Sequence, residues 1–464
     1  MSAAPVLKRE ISLLQATSIN MIDMVGIGPF VVMPLVISMM GSHLFLWAWI
    51  FGAVIAFTDG MIWSELGTKF PLAGGSYNFL KEAYGPKWGR LMSFLFVWQT
   101  CLQAPLVVAS GAIGFAQYFS YLVPLSGLEA KAVSGAVVLL IVFLLYRNTK
   151  TIGRISVLLW AGVIITILWI IVSGLTHKQL DYSFLPHSGD PSMFSIAFAL
   201  VLGQASVKTI YSYLGYYNVC HLGGEIRNPE KNIPRSIFIS IFCITVLYLL
   251  MNISIVGVVP WQEAMKSNFI VSTFMERVYG TKAAVVATVL VLWIAFASLF
   301  AVVLGYSRVP YAAAADGHFF PAFAKLHPTK NFPYISLLFL GGAGFLFSLL
   351  FKLADAISAI LAMRILVQFI AQAAGVVLLR KNQVSTRPFF RMWLYPLPVI
   401  LSVWIWLFVF YSTGLFALLG LALTLVGAGV FFGTKNIWRK DPAIPEDVMA
   451  SLPAEPPAPA KKQG

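Results

Sequence analysis

The sequence is short of charge. Only 11% of its 464 residues are Asp, Glu, Lys or Arg, against about 25% in soluble domains. That scarcity excludes an ordinary soluble fold, which could not hide so much apolar surface. Cysteine is scarce too: Cys101, Cys220 and Cys243 all lie in apolar runs. This excludes a disulfide framework, and no paired His/Cys spacing suggests a metal site. There is no HExxH, no GxSxG nucleophile elbow and no P-loop. The chain is therefore read as neither an enzyme nor an ATP-driven pump, with no catalytic residue, cofactor or metal expected.

Apolar sequence is abundant, at 59% with a mean hydropathy of +0.83. A membrane span needs about 20 apolar residues. Twelve runs approach or exceed that, centred on 13–40, 44–66, 91–122, 131–146, 154–174, 193–223, 234–258, 283–313, 334–351, 356–379, 395–411 and 414–433. The expected fold class is an all-α integral membrane protein of about twelve helices. The net charge of +14 would suit nucleic acid, but its placement argues otherwise. Threaded from a cytoplasmic N-terminus, the chain puts 24 of its 32 Lys/Arg in inside segments and 6 in outside loops. Lys208 and Arg364 fall within spans. This asymmetry is the positive-inside rule. It implies a multi-pass cell-membrane protein with both termini cytoplasmic and no nucleic-acid partner.

Spans 1–5 and 6–10 can be superposed as repeats. Because five is odd, the second set enters from the opposite side, giving an inverted repeat. The expected organisation is a cytoplasmic segment 1–12, a first five-helix repeat 13–174 and a second 175–380. Two C-terminal helices 381–434 and a disordered, Pro/Ala-rich tail 435–464 follow. The matching first spans of the repeats are both interrupted. Span 1 carries MVGIGPFVVMP at 24–34, and span 6 carries YSYLGYYN at 211–218. Gly26 and Gly28 permit unusual backbone angles, and Pro29 suits the start of a new half-helix. Backbone freed this way cannot face lipid, so it must face protein or a wet cavity. Paired interruptions point to a midplane ligand site, with a half-helix N-terminus ready for a carboxylate.

Five stretches give the chain a family resemblance. They are Gly26-Ile27-Gly28, SELGTKFPLAGGSYNFLKEAYG at 64–85, GGEIRNPEKNIPRSI at 223–237, SRVPYAAAADGHFFPAFAKLHP at 307–328 and RPFFRMWLYPLP at 387–398. Together they resemble the amino acid–polyamine–organocation (APC) superfamily of permeases, nearest to L-type amino acid transporters and related polyamine-uptake permeases. The resemblance implies the LeuT-like arrangement of two inverted five-helix repeats, with helices 1 and 6 discontinuous. It implies that a substrate carboxylate meets N–H groups of Gly26, Ile27 and Gly28, and that its amine meets carbonyls near Met24, Tyr211, Ser212 and Leu214. Tyr211 takes the position of an aromatic residue that closes over substrate. Two departures are evident: the family often has Ser where Ile27 stands, and Pro29 removes an N–H.

Asp23 lies deep in an apolar run three residues before the break. Intramembrane acids are costly and usually functional. It could pair with a substrate amine, carry a coupling proton or sit in a fixed ion pair. Lys208 holds the matching place before the second break and is the other coupling candidate, with pairing to Asp23 the favoured alternative. Arg364 reads as structural or gating. Gln103 in span 3, Gly215 and Tyr216 at the second break and Ser298 in span 8 complete the candidate lining. Glu65, Glu225 and Arg308 are candidates for a cytoplasmic gate. The leading reading is a secondary active amino acid transporter, proton-coupled or exchanging. A polyamine or organic-cation permease is the alternative, and a transport-inactive sensor a lesser one. Protons and a small-molecule substrate are the expected partners in the bilayer; the sequence identifies no partner subunit.

Overall fold

The computed structural model describes residues 7–41, 43–180, 195–382 and 390–434, with backbone alone at 354, 355 and 434. The expected disordered tail, 435–464, and the first three residues of the RPFFRMWLYPLP stretch lie outside the described residues. Among the described residues the fold is all-helical, apart from two isolated β-bridges, Ile11 with Ile226 and Ala73 with Leu222.

Helix α1 (Leu13–Met24) starts at a capping box, in which Ser12 and Gln15 satisfy each other's backbone N–H groups. It stops at the glycine pair, and α2 (Gly28–Met40) resumes at a bend of 41°. The restart is at Gly28, with Pro29 in the first turn, where its missing N–H would have no partner anyway. The chain continues through α3 (Leu46–Lys69), α4 (Ser76–Ala83), α5 (Gly85–Phe119), α6 (Gly127–Leu145) and α7 (Thr149–Thr176). Then come α8 (Ile196–Tyr213), the single turn α9 (Asn218–His221) and α10 (Pro229–Val256). Two short helices, α11 (Trp261–Ala264) and α12 (Ile270–Tyr279), lead to α13 (Thr281–Tyr306), α14 (Arg308–Ala315) and α15 (Tyr334–Leu350). α16 (Leu353–Arg364) passes through a π-helical stretch, Ile365–Ala371, into α17 (Gln372–Lys381). α18 (Leu397–Ser412) and α19 (Leu415–Thr434) end the described chain.

Among the described residues, eight helical segments are long and apolar enough to cross a membrane, nine if the bent α1–α2 pair is one span. The runs at 334–351 and 395–411 form shorter apolar helices, α15 and α18, and the run at 193–223 is interrupted after Tyr213. Leu139, Phe143, Ile165, Phe242, Leu346 and Leu425 are exposed along these helices. In water they would form an untenable apolar surface; against acyl chains they are solvated.

The two broken helices occupy the middle of the bundle. α1 packs on α7, α10 and α13, α2 packs on α8, and α8 also meets α3. The breaks touch each other. Gly215, at φ +121°, lies against the backbone of Asp23 and Met24, where a Cβ would come within 2.7 Å of the Met24 nitrogen. Only glycine combines that backbone angle with that approach.

Candidate functional site

The breaks leave backbone groups without helical partners. Among the described residues no backbone acceptor takes the N–H groups of Gly26, Ile27 or Gly28. Other freed groups are satisfied by side chains. The Tyr248 hydroxyl, from α10, lies 2.8 Å from the Met24 carbonyl and 3.0 Å from that of Ser212, donating to this pair. One phenol thus joins the two interruptions. Asn218 Nδ2 donates to Asp23 Oδ2 at 2.7 Å and to the Ala301 carbonyl at 2.9 Å. Ser298 Oγ donates to the Asp23 carbonyl at 3.3 Å.

A cavity of about 50 Å³ opens between the breaks. Its wall includes Asp23, Met24, Gly26, Ile27 and Gly28 from the first, and Tyr211, Ser212, Leu214, Gly215 and Tyr217 from the second. α5 contributes Val107 and Gly111, α13 contributes Ala295, Ser298, Leu299, Val302 and Tyr306, and α16 ends there with Arg364. Ten of the residues expected to hold substrate therefore share one wall. The Tyr211 hydroxyl lies 2.9 Å from Ser110 Oγ of α5. Gln103 and Tyr216 are not part of the wall. Gln103 is buried within α5. Tyr216 turns the opposite way and donates to Asp59 at 2.5 Å, because the break rotates successive side chains to different faces.

Asp23 has no ion pair among the described residues. Lys208, the expected partner, instead donates to Ser358 Oγ in α16 at 3.2 Å. Arg364 is the cation of the cavity. Its guanidinium is ringed by Tyr217, Tyr306 and Phe369, 5.2–5.7 Å from each ring centre, and donates to Gln368 Oε1 at 2.9 Å and to the Tyr217 hydroxyl. Read from sequence as structural or gating, Arg364 lines the cavity with Asp23. One acid and one guanidinium in the same wall suit a small molecule carrying both charges.

The gate candidates divide into two places. Arg308 makes a forked pair with Glu225, Nε to Oε1 at 2.8 Å and Nη2 to Oε2 at 3.2 Å, both side chains fully enclosed. Thr149 Oγ1 donates to Glu225 Oε2 at 2.7 Å, and Arg308 Nη1 donates to the Leu304 carbonyl at 3.1 Å. The Glu225 carbonyl accepts from Ile11 N, and Arg227 N donates to the Ile11 carbonyl, each at 2.9 Å. Four segments thus meet at one plug: the lead-in to α1, the start of α7, the exit from α9 and the start of α14. Glu65 does not join it. Arg380 is its partner, at 2.7 and 2.6 Å, with Met392 N donating as well. Glu65 therefore ties α3 to α17 and to the lead-in of α18.

Tyr248 and Asp59 were not legible as site residues. Tyr248 sits in a long apolar helix with nothing to mark it. Asp59 carried the same signal as Asp23, an acid inside an apolar run, but adjoins no helix-breaking motif.

A family model described as "Amino acid permease" matches residues 11–438. The chain is 27% identical over 446 residues to the serine/threonine exchanger SteT of Bacillus subtilis (strain 168), covering 93% of this chain and 98% of the relative. It is 27% identical over 463 residues to the human large neutral amino acids transporter small subunit 2, covering 96% and 84%. To the human cystine/glutamate transporter it is 26% identical over 344 residues, covering 72% and 66%.

Proposed function

Since this chain belongs to the amino acid permease family, we propose that it is a secondary active amino acid transporter working by alternating access, with substrate held where the first and sixth spans unwind. In this reading the substrate carboxylate sits at the N–H groups of Gly26, Ile27 and Gly28, aided by the positive end of α2. The ammonium faces Asp23. Tyr211 closes the side toward α5, and the Arg308–Glu225 plug closes the cytoplasmic side. The architecture is two inverted five-helix repeats, 13–174 and 175–380, followed by α18 and α19, in the cell membrane with both termini in the cytoplasm. Uptake is driven by protons or by exchange.

The observation that carries the reading is a single cavity walled by both breaks and bearing one acid and one guanidinium. It also ranks the substrates. A polyamine has cations only and would place one of them near Arg364, whereas an amino acid offers a carboxylate as well. A thermal-shift panel tests this. A saturating amino acid at about 100 times its Kd should stabilise the purified protein by about 2.7 kcal/mol, and diamines should not. Stabilisation by a diamine and by no amino acid would reverse the ranking.

Asp23→Asn tests the amine contact. Asp23 Oδ2 is occupied by Asn218, and Oδ1 accepts no hydrogen bond among the described residues. A charge-assisted hydrogen bond contributes about 1.5–3 kcal/mol. Losing one should raise the apparent Kd by about 10- to 150-fold, read by radioligand binding. Unchanged affinity would remove Asp23 from the site.

A further inference from the structure

Asp59 lies in α3, inside a membrane-crossing helix, with no exposed surface. Among the described residues no cation pairs with it. Every contact is neutral. Tyr216 donates to Oδ2 at 2.5 Å and Trp63 Nε1 to Oδ2 at 2.8 Å; Trp406 Nε1 and Ser402 Oγ approach Oδ1 at 3.4 Å each. These donors come from three parts of the molecule: α3 itself, the unwound segment after α8, and α18. We propose that Asp59 is the proton-binding site that drives transport, and that it reports its protonation to the break after α8 through Tyr216. The proposal rests on the transporter reading given above and names its coupling residue.

Two features make this site suited to a proton. A buried carboxylate without a counter-cation carries a heavy desolvation cost, which taking up a proton relieves. The donors also differ in kind. An indole N–H can only donate, whereas the hydroxyls of Tyr216 and Ser402 can turn and accept. When the carboxylate takes up one proton it becomes a neutral carboxyl with one O–H to donate, and one hydroxyl must reverse or let go. Oδ1, held by only two long contacts, is the position for that proton, with the Ser402 hydroxyl turning to accept it. The Tyr216 bond then changes from a charge-assisted bond to a neutral one of about half the strength. Tyr216 belongs to the segment whose neighbours Leu214, Gly215 and Tyr217 wall the cavity.

Two further chains of contact link the site to the cavity. Trp63 stacks on Tyr217 at 4.5 Å, and Tyr217 accepts from Arg364. Trp406 stacks on Phe369 at 3.9 Å, and Phe369 lies under the Arg364 guanidinium. The other groups facing Asp59 leave it as the proton acceptor. α10 presents Ile237 and Ile241 beside Gly60. On α9, His221 stands edge-on to Trp63 at 6.0 Å. Arg364 is screened by Tyr217 and Phe369, Glu65 is engaged by Arg380, and α18 offers Ser402 and Trp406.

The test uses full-length protein in proteoliposomes, with a substrate from the thermal panel and the membrane potential clamped at zero. A one-unit inward pH gradient should drive wild-type accumulation toward a ceiling of about tenfold for one proton per substrate, with acidification of a trapped pH indicator. Asp59→Asn should still exchange substrate in counterflow but neither accumulate it nor move protons, and its counterflow should lose its pH dependence. Tyr216→Phe, which keeps the acid and removes one donor, should shift the midpoint of the pH profile. The proposal is overturned if Asp59→Asn accumulates like wild type, if wild type exchanges without moving protons, or if the Tyr216→Phe profile overlays that of wild type. Absence of any wild-type counterflow is a different result, and it would overturn the transporter reading itself.

Discussion

Arg308→Ala should destabilise the purified protein by about 3–5 kcal/mol, because it strands a charged carboxylate in an enclosed site. Glu225 is 0% exposed and Arg308 is 2% exposed. With the guanidinium gone, Glu225 keeps the Thr149 hydroxyl as its side-chain donor. The charge is what makes the loss large, so neutralising both partners should recover much of it. The double variant Arg308→Met with Glu225→Gln should be more stable than Arg308→Ala alone, a non-additivity expected of residues in direct contact. Thermal or denaturant unfolding in detergent reads both. A functional signature should accompany the loss. In the proposed function the pair is a gate, so a cysteine placed among the cavity residues should label faster from the cytoplasmic side in Arg308→Ala. Equal stability and equal labelling in wild type and variant would show that the pair holds nothing shut.

Gly28→Leu should abolish substrate binding and uptake. A Cβ on Gly28 would sit 3.1 Å from Ser212 Oγ and 3.4 Å from the Tyr211 ring. That first atom already presses on the second break, and the remaining three carbons of leucine must enter a cavity of about 50 Å³. The strain of overpacking is about 1–3 kcal/mol, which a folded protein can survive. The proposed site cannot survive it, since the side chain occupies the volume and covers the N–H groups proposed to hold the carboxylate. Uptake should fall to that of empty vesicles while the protein still purifies as a monodisperse species. Gly28→Ala should be intermediate. Wild-type uptake by Gly28→Leu would refute backbone recognition at the first break.

The two breaks were legible because glycine, helped by proline in the first run, interrupts both apolar runs at matching places. The first break and the second were both read from this pattern, and the structure places helix ends at Met24 and Tyr213. The restart at Gly28 rather than Pro29 is a one-residue difference, since proline is tolerated throughout a first turn. Partnerships between distant side chains were less legible. Lys208 and Asp23 occupy matching sequence positions, yet the lysine reaches α16. Glu65 and Arg308 both flank the same expected gate, but Arg380 is the closer cation to Glu65. Such pairings depend on how helices rotate against each other, which spacing along one chain does not record. The π-helical stretch after Arg364 is likewise invisible in an apolar run, because its signature is a backbone register and not a residue type.

The parallel bridge between Ile11 and Ile226 gives an experimenter a brake that never touches the ligand. Neighbouring backbones in such a pairing run roughly 5 Å apart, within the reach of a disulfide. Cysteines at these two positions should cross-link under oxidation, freeze the lower half of the first span against the exit of the sixth, and halt turnover until a reductant is added. The same geometry warns against short amino-terminal fusions, since a rigid tag crowding Glu10 would pry at two backbone hydrogen bonds and bias the resting pose of the carrier.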